Sequence, residues 1–410
     1  MREGWQRTKL GDVMERRLER VEVDREDCYD LMGIRWKNLG AYKRGDSQST
    51  PSKAKFMYRM RSGDFVFNRI DTDKGAFAIV PPELNMALAS NEFPAYRTTP
   101  QRLDPQYLWL YFQQYQVLSG LRAAGSEGRA RWKETDFEAQ TLDLPPLAEQ
   151  RRIVDLIGAV DEVIEAADES ELLERALFSS LLSKVFTEGE SVPLASVASL
   201  TDCEHNTAPR SEQEIYAHSI GTGDVRAGRV SIANAKPVTA LTYSKWTERL
   251  RPAIGDIIFT REAPVGELGL VTEELGRVCL GQRTVLIRPK ADVSGQYLWL
   301  SLLSPQAQRW LRGESIAQTV TRINIKRILQ LPVLKLSQSE QVRIVSRATA
   351  CLELAEASRS HAASLRNLRA EMLATLLSGQ HEIPASYDQL LGALKCSGDS
   401  ASSANGEAAA

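Results

Sequence analysis

The residues best suited to bind a ligand form a basic stretch near the N-terminus, between residues 35 and 61. Asp46 is its one acidic residue, and four aromatic side chains are interleaved with its lysines and arginines. Lysine and arginine at this density neutralise phosphates, and arginine can also read base edges. We therefore predict a nucleic-acid contact, against the alternative of a solvated basic loop without a ligand. The predicted contacts are Arg35, Trp36, Lys37, Lys43, Arg44, Lys53, Lys55 and Arg59, with Arg69 just beyond the stretch.

The second half of the chain offers a more dispersed set of candidate contacts. Basic, amide and hydroxyl side chains lie there without a dense cluster, so no single residue is marked by its neighbours. The predicted contacts in this half are His205, Thr207, Arg226, Arg229, Arg261, Gln282, Arg283 and Arg322.

The sequence offers little for catalysis. Asp-Pro-Gln-Tyr at residues 104–107 partly matches the acidic-Pro-Pro-aromatic motif of adenine methyltransferases, but residues 294–297, Ser-Gly-Gln-Tyr, repeat it without the acid and proline. A helix start therefore explains it better. Asp-Cys-Glu-His at residues 202–205 could begin a metal site, yet no second ligand cluster completes it. Walker A and dinucleotide motifs are missing. We expect no catalytic, cofactor-binding or metal-binding residue, and no enzymatic activity of this chain alone.

Charge and composition narrow the class of protein. The net charge is −2, which by itself argues against a nucleic-acid partner. However, segments 1–146 and 191–337 are net basic while 147–190 and 338–410 are net acidic, so any DNA contact belongs to the basic segments. No stretch is apolar enough to span a membrane, and we see no secretory signal. Five scattered cysteines fit a reducing cytoplasm, where we expect the protein.

The chain repeats itself once. Gln-Tyr-Leu-Trp-Leu at residues 106–110 recurs at 296–300, and Gly-Asp with an apolar run at 63–67 recurs at 255–259. Glu-Gln followed by Arg-Ile-Val at the start of a long apolar-periodic segment occurs near residues 150 and 341. The matches keep their order at a nearly constant separation, which indicates tandem duplication of a whole unit.

Each unit combines a mixed part with one long helix. Short β-rich runs between glycine and proline residues come first, and apolar residues at alternating spacings of four and three follow. Such a narrow stripe is typical of a coiled-coil seam, and the simplest partner for one helix is the other. We predict an α+β fold with two tandem mixed α/β domains, each followed by a long helix, and the helices paired as an antiparallel coiled coil. The predicted segments are 1–146 and 191–337 for the mixed domains, 147–190 and 338–384 for the helices, and 385–410 for a disordered tail.

This arrangement resembles the specificity subunits of type I restriction–modification systems. The motif Leu-Pro-Pro-Leu-Ala-Glu-Gln at residues 144–150, before a long helix, is the one most specific to that family. Its second copy departs, because a longer gap separates Pro332 from Glu340 and Gln341. The other residues that carry the resemblance lie at 63–69, 75–78, 90–94 and 202–209, and the likeness extends to residue 384.

The resemblance implies a non-catalytic subunit that tells partner enzymes where to act. It implies two target-recognition domains, each reading half of a bipartite, asymmetric site in double-stranded DNA. The expected partners are two copies of a DNA adenine methyltransferase subunit, which bind S-adenosylmethionine. Where a nuclease exists, motor-nuclease subunits that use ATP and magnesium would join them. Adenine must leave the base stack to be methylated, and the pocket for it belongs to the methyltransferase partner.

Two other functions stay open at this point. One is a coiled-coil scaffold that binds no DNA and uses its mixed domains for protein interactions. Sequence-selective retention of duplex DNA by the assembled complex would argue against it. The other is a self-sufficient methyltransferase, which binding of S-adenosylmethionine to the isolated chain would support and which the missing motifs argue against.

Overall fold

The computed structural model describes residues 2–24, 27–45, 55–70, 72–123, 131–187, 189–262, 264–316 and 322–389. The chain forms two compact units, the first made of Met1–Glu165 with Ala362–Ala410 and the second of Ala166–His361. Both long helices cross this division, so each unit contains one mixed domain and one half of each helix. Among the described residues, no helix has both the length and the apolar character needed to cross a membrane.

The first unit is built on two sheets and three short helices. Strands β2, β10, β7 and β8 form its central sheet, β3, β6, β9, β4 and β5 form a second sheet, and β1 pairs with β11, each in the order given. The elements up to the first long helix are β1 (Gln6–Lys9), β2 (Met14–Arg17), β3 (Arg20–Glu22), β4 (Leu31–Ile34), β5 (Ala41–Arg44), β6 (Phe56–Arg59), β7 (Phe65–Phe67), β8 (Phe77–Ile79), β9 (Leu88–Ala89), β10 (Ala95–Thr98), α1 (Pro105–Tyr111), α2 (Tyr115–Ala123), α3 (Glu134–Ala139), β11 (Thr141–Leu144) and α4 (Leu147–Val185).

Aromatic side chains fill the core beside the central sheet of the first unit. Phe77 of β8 stacks on Phe112, with 4.5 Å between the ring centroids. Phe67 of β7 lies 4.8 Å from Phe137 of α3. All four rings are fully buried, and a buried aromatic side chain contributes several kcal/mol through burial and packing. The cluster therefore fixes the helices of the mixed domain on the sheet.

The second unit has a central sheet with the strand order β13, β21, β18, β19, and a second sheet with the order β17, β14, β20. Strands β12 and β22 pair, as do β15 and β16. The elements are β12 (Ser191–Pro193), α5 (Leu194–Val197), β13 (Ala198–Asp202), β14 (Ala217–Ile220), β15 (Val225–Arg226), β16 (Arg229–Val230), β17 (Lys236–Val238), α6 (Ala240–Trp246), β18 (Ile257–Thr260), β19 (Leu268–Leu270), β20 (Val278–Leu280), β21 (Thr284–Pro289), α7 (Gly295–Leu303), α8 (Pro305–Ile316), α9 (Ile325–Ile328), β22 (Pro332–Leu334) and α10 (Gln338–Leu377).

The two units repeat the same sheet connectivity. In each central sheet the strand that comes first in the chain pairs with the one that comes last, β2 with β10 and β13 with β21. The last strand also pairs with a hairpin, formed by β7 and β8 in the first unit and by β18 and β19 in the second. Each hairpin begins at a Gly-Asp turn whose glycine has a positive φ, +84° at Gly63 and +91° at Gly255. A conformation of this kind favours glycine because other residues would be strained there. The mixed architecture and its duplication, both predicted from the sequence, are confirmed.

Within the first unit, the beginning of α4 packs antiparallel on the end of α10. Ile157 and Leu373 lie in the same core cluster, and the Arg369 guanidinium donates to the Asp161 carboxylate at 2.8 Å. Ala362 is fully buried, and so small a side chain lets two helices approach closely.

Within the second unit, the end of α4 packs antiparallel on the beginning of α10. Leu182 and Ala348 are buried in one cluster, and Glu171 accepts a hydrogen bond from Arg359 at 2.9 Å. In both units, positions later in α4 meet positions earlier in α10. The predicted antiparallel pairing of the two helices is therefore confirmed.

A buried amide explains the Glu-Gln motif at the start of the first long helix. The Gln150 side chain is fully buried, and its nitrogen donates to the carbonyls of Arg102 and Pro145 at 2.8 Å each. Its oxygen accepts from the backbone N–H of Asp104 at 2.9 Å. All three partners belong to the main chain, and all three would be left without a partner by an apolar residue at this position.

Gln341 repeats this arrangement in the second unit. Its nitrogen donates to the carbonyls of Leu336 and Asp292 at 3.0 and 3.3 Å, and its oxygen accepts from the N–H of Ser294 at 2.9 Å. Asp104 and Ser294 are the N-caps of α1 and α7. Each amide thus fastens the start of a long helix to the start of a Gln-Tyr-Leu-Trp-Leu helix, an arrangement that we call the glutamine joint.

The chain is ordered further beyond α10 than we expected. We predicted a disordered tail from residue 385, but residues 385–389 form hydrogen-bonded turns, beginning with the bond from the Tyr387 N–H to the Pro384 carbonyl at 3.0 Å. Tyr387 packs against the core of the first unit, and Asp388 lies 3.4 Å from Arg152. These contacts anchor a segment that composition alone marked as polar. The rest of the predicted tail, 390–410, lies outside the described residues.

Candidate nucleic-acid interface

Several predicted contacts of the first unit lie on the hairpin formed by β4 and β5. The Tyr42 ring crosses Gly33 on the neighbouring strand, where a Cβ atom would come within 2.8 Å of the ring. The Arg35 guanidinium lies 4.8 Å from the centre of the same ring. A cation over an aromatic face is attracted by the ring quadrupole. Glycine at position 33 therefore makes room for a half-buried tyrosine that carries an exposed arginine on its ring.

The turn of this hairpin is held in one shape. Lys37 and Asn38 have φ values of 59° and 56°, and their backbone N–H groups donate to the carbonyls of Lys74 and Gly75 at 2.7 and 2.8 Å. Positive φ is uncommon for residues other than glycine and persists where the surroundings fix it. The Trp36 ring is 50% exposed beside this turn. A rigid turn that displays a tryptophan and a lysine suits contact with a nucleic acid.

Other cations of the basic stretch lie on the same sheet with differing freedom. Arg44 is exposed on β5. Lys43, Lys55 and Arg59 each contact one acidic side chain, at 2.7, 4.0 and 3.0 Å respectively. Arg59 is only partly exposed, whereas the exposed pairs of Lys43 and Lys55 contribute at most about 1 kcal/mol and weaken in salt. A phosphate can therefore replace the acid at little cost.

Two predicted contacts are not part of this surface as described. Arg69 has a mostly buried side chain that pairs with Glu134, so we reassign it from DNA contact to support of the loop after β7. The acid that occupies it lies far away in the sequence, which is why the basic pattern suggested otherwise. Lys53 lies outside the described residues.

In the second unit, three predicted contacts line one polar cleft of about 350 Å³, namely Thr207, Gln282 and Arg283. Asn234 and Lys236 line the same cleft, and the sequence reasoning missed both. Neither belongs to a dense basic run, so no local signal marked them. Amide, hydroxyl and cationic groups in one concave wall can donate to base edges or phosphates.

The loops around this cleft are fixed by close packing. The Gln282 amide nitrogen donates to the carbonyl of His205 at 2.8 Å, which ties two loops together. A Cβ on Gly281 would come within 2.7 Å of the Ile220 carbonyl oxygen. Arg283 has a φ of 68°, and its guanidinium lies 3.3 Å from Glu262, which Arg322 also approaches at 3.1 Å. The cleft is therefore preorganised.

The other predicted contacts of the second unit have different environments. Arg261 is 5% exposed, and both oxygens of Asp202 accept from its guanidinium at 2.8 and 2.7 Å. We therefore reassign Arg261 from DNA contact to support of β13. Arg226 is exposed but donates to carbonyls of its own turn, and Arg229 lies 2.9 Å from Glu356 of α10. His205 is exposed beside the cleft.

The two buried cysteines of the second unit, Cys203 and Cys279, do not resemble nucleophiles. Burial raises the pKa of the Cys279 thiol to about 11, and burial likewise raises the pKa of the Cys203 thiol. A thiol with a raised pKa is mostly protonated at neutral pH and reacts slowly. Within the described ranges, no group of three or more His, Cys, Asp or Glu residues could hold a metal ion.

Residues 2–175 match the family model of the type I restriction modification DNA specificity domain. The chain carries this specificity domain. A relative named as the MjaX type I restriction enzyme specificity subunit, from Methanocaldococcus jannaschii, is 21% identical over 350 residues and covers 79% of each chain. The resemblance that the motifs indicated is thus confirmed.

Solved structures share the fold of this chain. A chain from a study of complex assembly and conformational transition of the type I R-M system aligns with a TM-score of 0.60 and 22% identity, over 92% of this chain and 98% of that one. The S subunit of a type I restriction–modification system from M. genitalium aligns with a TM-score of 0.55 and 11% identity, over 91% and 96%. At these identities the likeness concerns the fold alone.

Proposed function

We propose that this protein is the DNA-sequence-specificity subunit of a type I restriction–modification complex, and that each mixed domain reads one half of a bipartite site. The observation that carries the proposal is a duplicated frame with two different exposed surfaces. The central sheets and glutamine joints repeat, while the first unit offers a hairpin with an exposed tryptophan and the second offers a polar cleft. Unlike surfaces on like frames suit two different half-sites.

The two surfaces fit different parts of recognition. On the hairpin, Lys37 and Arg44 suit phosphates, whose contacts fix register without carrying sequence information. In the cleft, Gln282 and Asn234 can pair with an adenine edge and Arg283 with guanine. Since a hydrogen bond holds Gln282 and an ion pair holds Arg283, these two side chains of the cleft need little ordering on binding.

The chemistry belongs to partners in this proposal. Two copies of an adenine methyltransferase subunit bind S-adenosylmethionine and methylate the site, and motor-nuclease subunits with ATP and magnesium join in systems that also cleave. The repeated glutamine joints support this arrangement, because a duplicated frame gives two similar docking surfaces for one kind of partner. This chain itself performs no catalytic step.

A selection experiment tests the proposal. The chain is assembled with its methyltransferase subunits and incubated with a library of random duplexes, and the retained duplexes are sequenced. We expect two short fixed sequences separated by a spacer of constant length and variable composition. A single continuous motif would contradict the division into two half-sites. Retention without any sequence preference would instead favour a scaffold that binds no specific DNA.

A further inference from the structure

The two glutamine joints have similar frames but different charge beside them. In the first unit a cleft of about 370 Å³ lies next to the joint, between the Gly-Asp turn, β10 and the first turn of α4. Three arginines border it, namely Arg17, Arg97 and Arg151. None of the three was among the predicted DNA contacts. None belongs to the two proposed reading surfaces, which are the β4–β5 hairpin of the first unit and the polar cleft of the second.

A different arginine neutralises the buried aspartate of the Gly-Asp turn in each unit. Asp256 is bound by Arg288 of β21, with nitrogen–oxygen distances of 2.8 and 2.6 Å. Asp64 is bound instead by Arg17 of β2, whose second contact measures 3.0 Å. Both carboxylates are 2% exposed, so each needs a positive partner.

The exchange of partner releases one arginine in the first unit. Arg97 of β10 and Arg288 of β21 hold equivalent positions in the two sheets. Val66, two residues after Asp64, pairs with Ala95, and Arg97 lies two residues further along β10. Likewise Ile258, two residues after Asp256, pairs with Leu286, and Arg288 lies two residues further along β21. Because Arg17 occupies Asp64, the exposed Arg97 side chain has no hydrogen-bond or ion-pair partner among the residues that the structure describes.

Arg151 adds a second uncommitted charge to this cleft. It is exposed on the first turn of α4 and, within the described ranges, likewise has no side-chain partner. The equivalent position of the second unit is Val342, which is 67% exposed. The one carboxylate in the wall besides Asp64 is Asp104, which accepts from the Gln106 N–H at 2.8 Å as the cap of α1. The cleft of the first unit therefore offers two guanidinium groups to a ligand, whereas the equivalent positions of the second unit hold Arg288, which is bound to Asp256, and Val342.

The surroundings of the cleft favour a protein carboxylate over a DNA phosphate. The cleft is built from the elements that are most alike in the two units, whereas the reading surfaces differ. Like elements suit contacts with two copies of one partner, and guanidinium groups bind carboxylates through paired hydrogen bonds. We infer that acidic side chains of one methyltransferase subunit dock at Arg97 and Arg151, and that the second copy of this subunit docks at the second unit without these ion pairs. This inference rests on the proposed function.

Charge reversal at the cleft tests this asymmetry. Complexes of the Arg97→Glu/Arg151→Glu variant with the methyltransferase subunit are weighed by native mass spectrometry without DNA, over a series of subunit concentrations. We expect one of the two copies to bind about ten-fold more weakly or worse, which leaves complexes with a single copy. The variant should keep its thermal unfolding midpoint, since both side chains are exposed. The milder Arg97→Gln/Arg151→Gln variant should show a smaller loss of the same copy.

Arg44→Glu serves as the matched control, because Arg44 is an exposed arginine of the same unit on the reading surface. It should keep both methyltransferase copies and bind DNA less tightly. If the cleft variant keeps both copies but binds all DNA sequences less tightly, the cleft holds a phosphate and the inference is wrong. Loss of both copies, or no change in either measurement, would also overturn it. Failure of the wild-type complex to select DNA would count against the proposed function. The number of bound methyltransferase subunits could still be measured, so the docking inference would be tested separately.

Discussion

At Gln150, one uncharged side chain satisfies three main-chain groups that lie away from water. The geometry explains why glutamine follows glutamate at the start of both long helices: an amide both donates and accepts, which a carboxylate cannot do. Asparagine would be too short by one methylene group to span the same groups. The motif thus reports a buried joint rather than an exposed helix cap.

Truncation of this amide should be costly. Gln150→Ala leaves one N–H and two carbonyls unpaired, and a buried polar group without a partner costs about 1–3 kcal/mol. We expect the first unit to lose about 3 kcal/mol of unfolding free energy, and the second unit to lose a similar amount in Gln341→Ala. Urea denaturation followed by hydrogen exchange at the joint measures the change. The exposed Gln116→Ala should change stability by less than about 0.5 kcal/mol, and an equally small effect at Gln150 would refute the role of the joint.

Cations on the hairpin of the first unit should act on DNA through phosphates. Lys37→Ala and Arg44→Ala should each weaken binding of the assembled complex about equally on all sequences and reduce the salt slope by about 0.9. Gln282→Ala in the second unit should instead relax one base position at roughly 1–3 kcal/mol. Affinity is measured over a series of salt concentrations, with Lys245→Ala as an exposed control outside both surfaces. An unchanged salt slope in both the Lys37→Ala and the Arg44→Ala variants would mean that these cations face away from DNA.

Residue patterns predicted some of these side chains and could not predict others. The density of cations between residues 35 and 61 led to the hairpin because residues near each other in sequence stay near each other in space within a hairpin. Arg69 and Arg261 were also predicted contacts, but each is occupied by an acid that only the tertiary fold brings near. Asn234 and Lys236 carried none, since their cleft is assembled from loops distant in sequence.

At the scale of elements, the starts of α4 and α10 could be predicted because proline and Glu-Gln signals are local. The helices begin at Leu147 and Gln338, each three residues before the glutamine of its Glu-Gln pair. The partner of each helix followed from two matching apolar seams. What the seams did not reveal is that each helix is divided between two compact units, because that division depends on contacts with the mixed domains.

Acid should loosen the helix pair of the second unit. Hydrogen bonds from Arg359 and then Arg175 lower the pKa of the Glu171 carboxyl. A lowered pKa in the folded state means that the contribution is fully present above the ordinary value of about 4.3 and is lost as the pH falls through the lowered pKa. Glu171→Gln should therefore flatten the acid side of a plot of melting temperature against pH. The exposed Glu169→Gln on the same helix should leave that plot unchanged, and a wild-type slope in Glu171→Gln would speak against the ion pair.

At the scale of the whole molecule, the duplication predicts that the two halves read independently. Exchange of residues 1–146 for the matching segment of a related specificity subunit should alter one half of the recognised site and preserve the other. Sequencing of methylated positions in cells that carry the exchanged protein measures this. A reciprocal exchange of residues 191–337 is the matched control and should alter the opposite half. Both halves changing together would show that the domains read as one surface.

The glutamine joint also bears on how such proteins can diversify. Every partner of Gln150 and Gln341 is a backbone N–H or carbonyl, and any amino acid provides these groups. If recombination near the joint replaced the reading segment, the new segment would still supply these main-chain groups. The hydrogen bonds of the joint would then form without compensating mutations. The joint can be kept while the reading segment is replaced, so a single recombination event could give the protein a new target sequence.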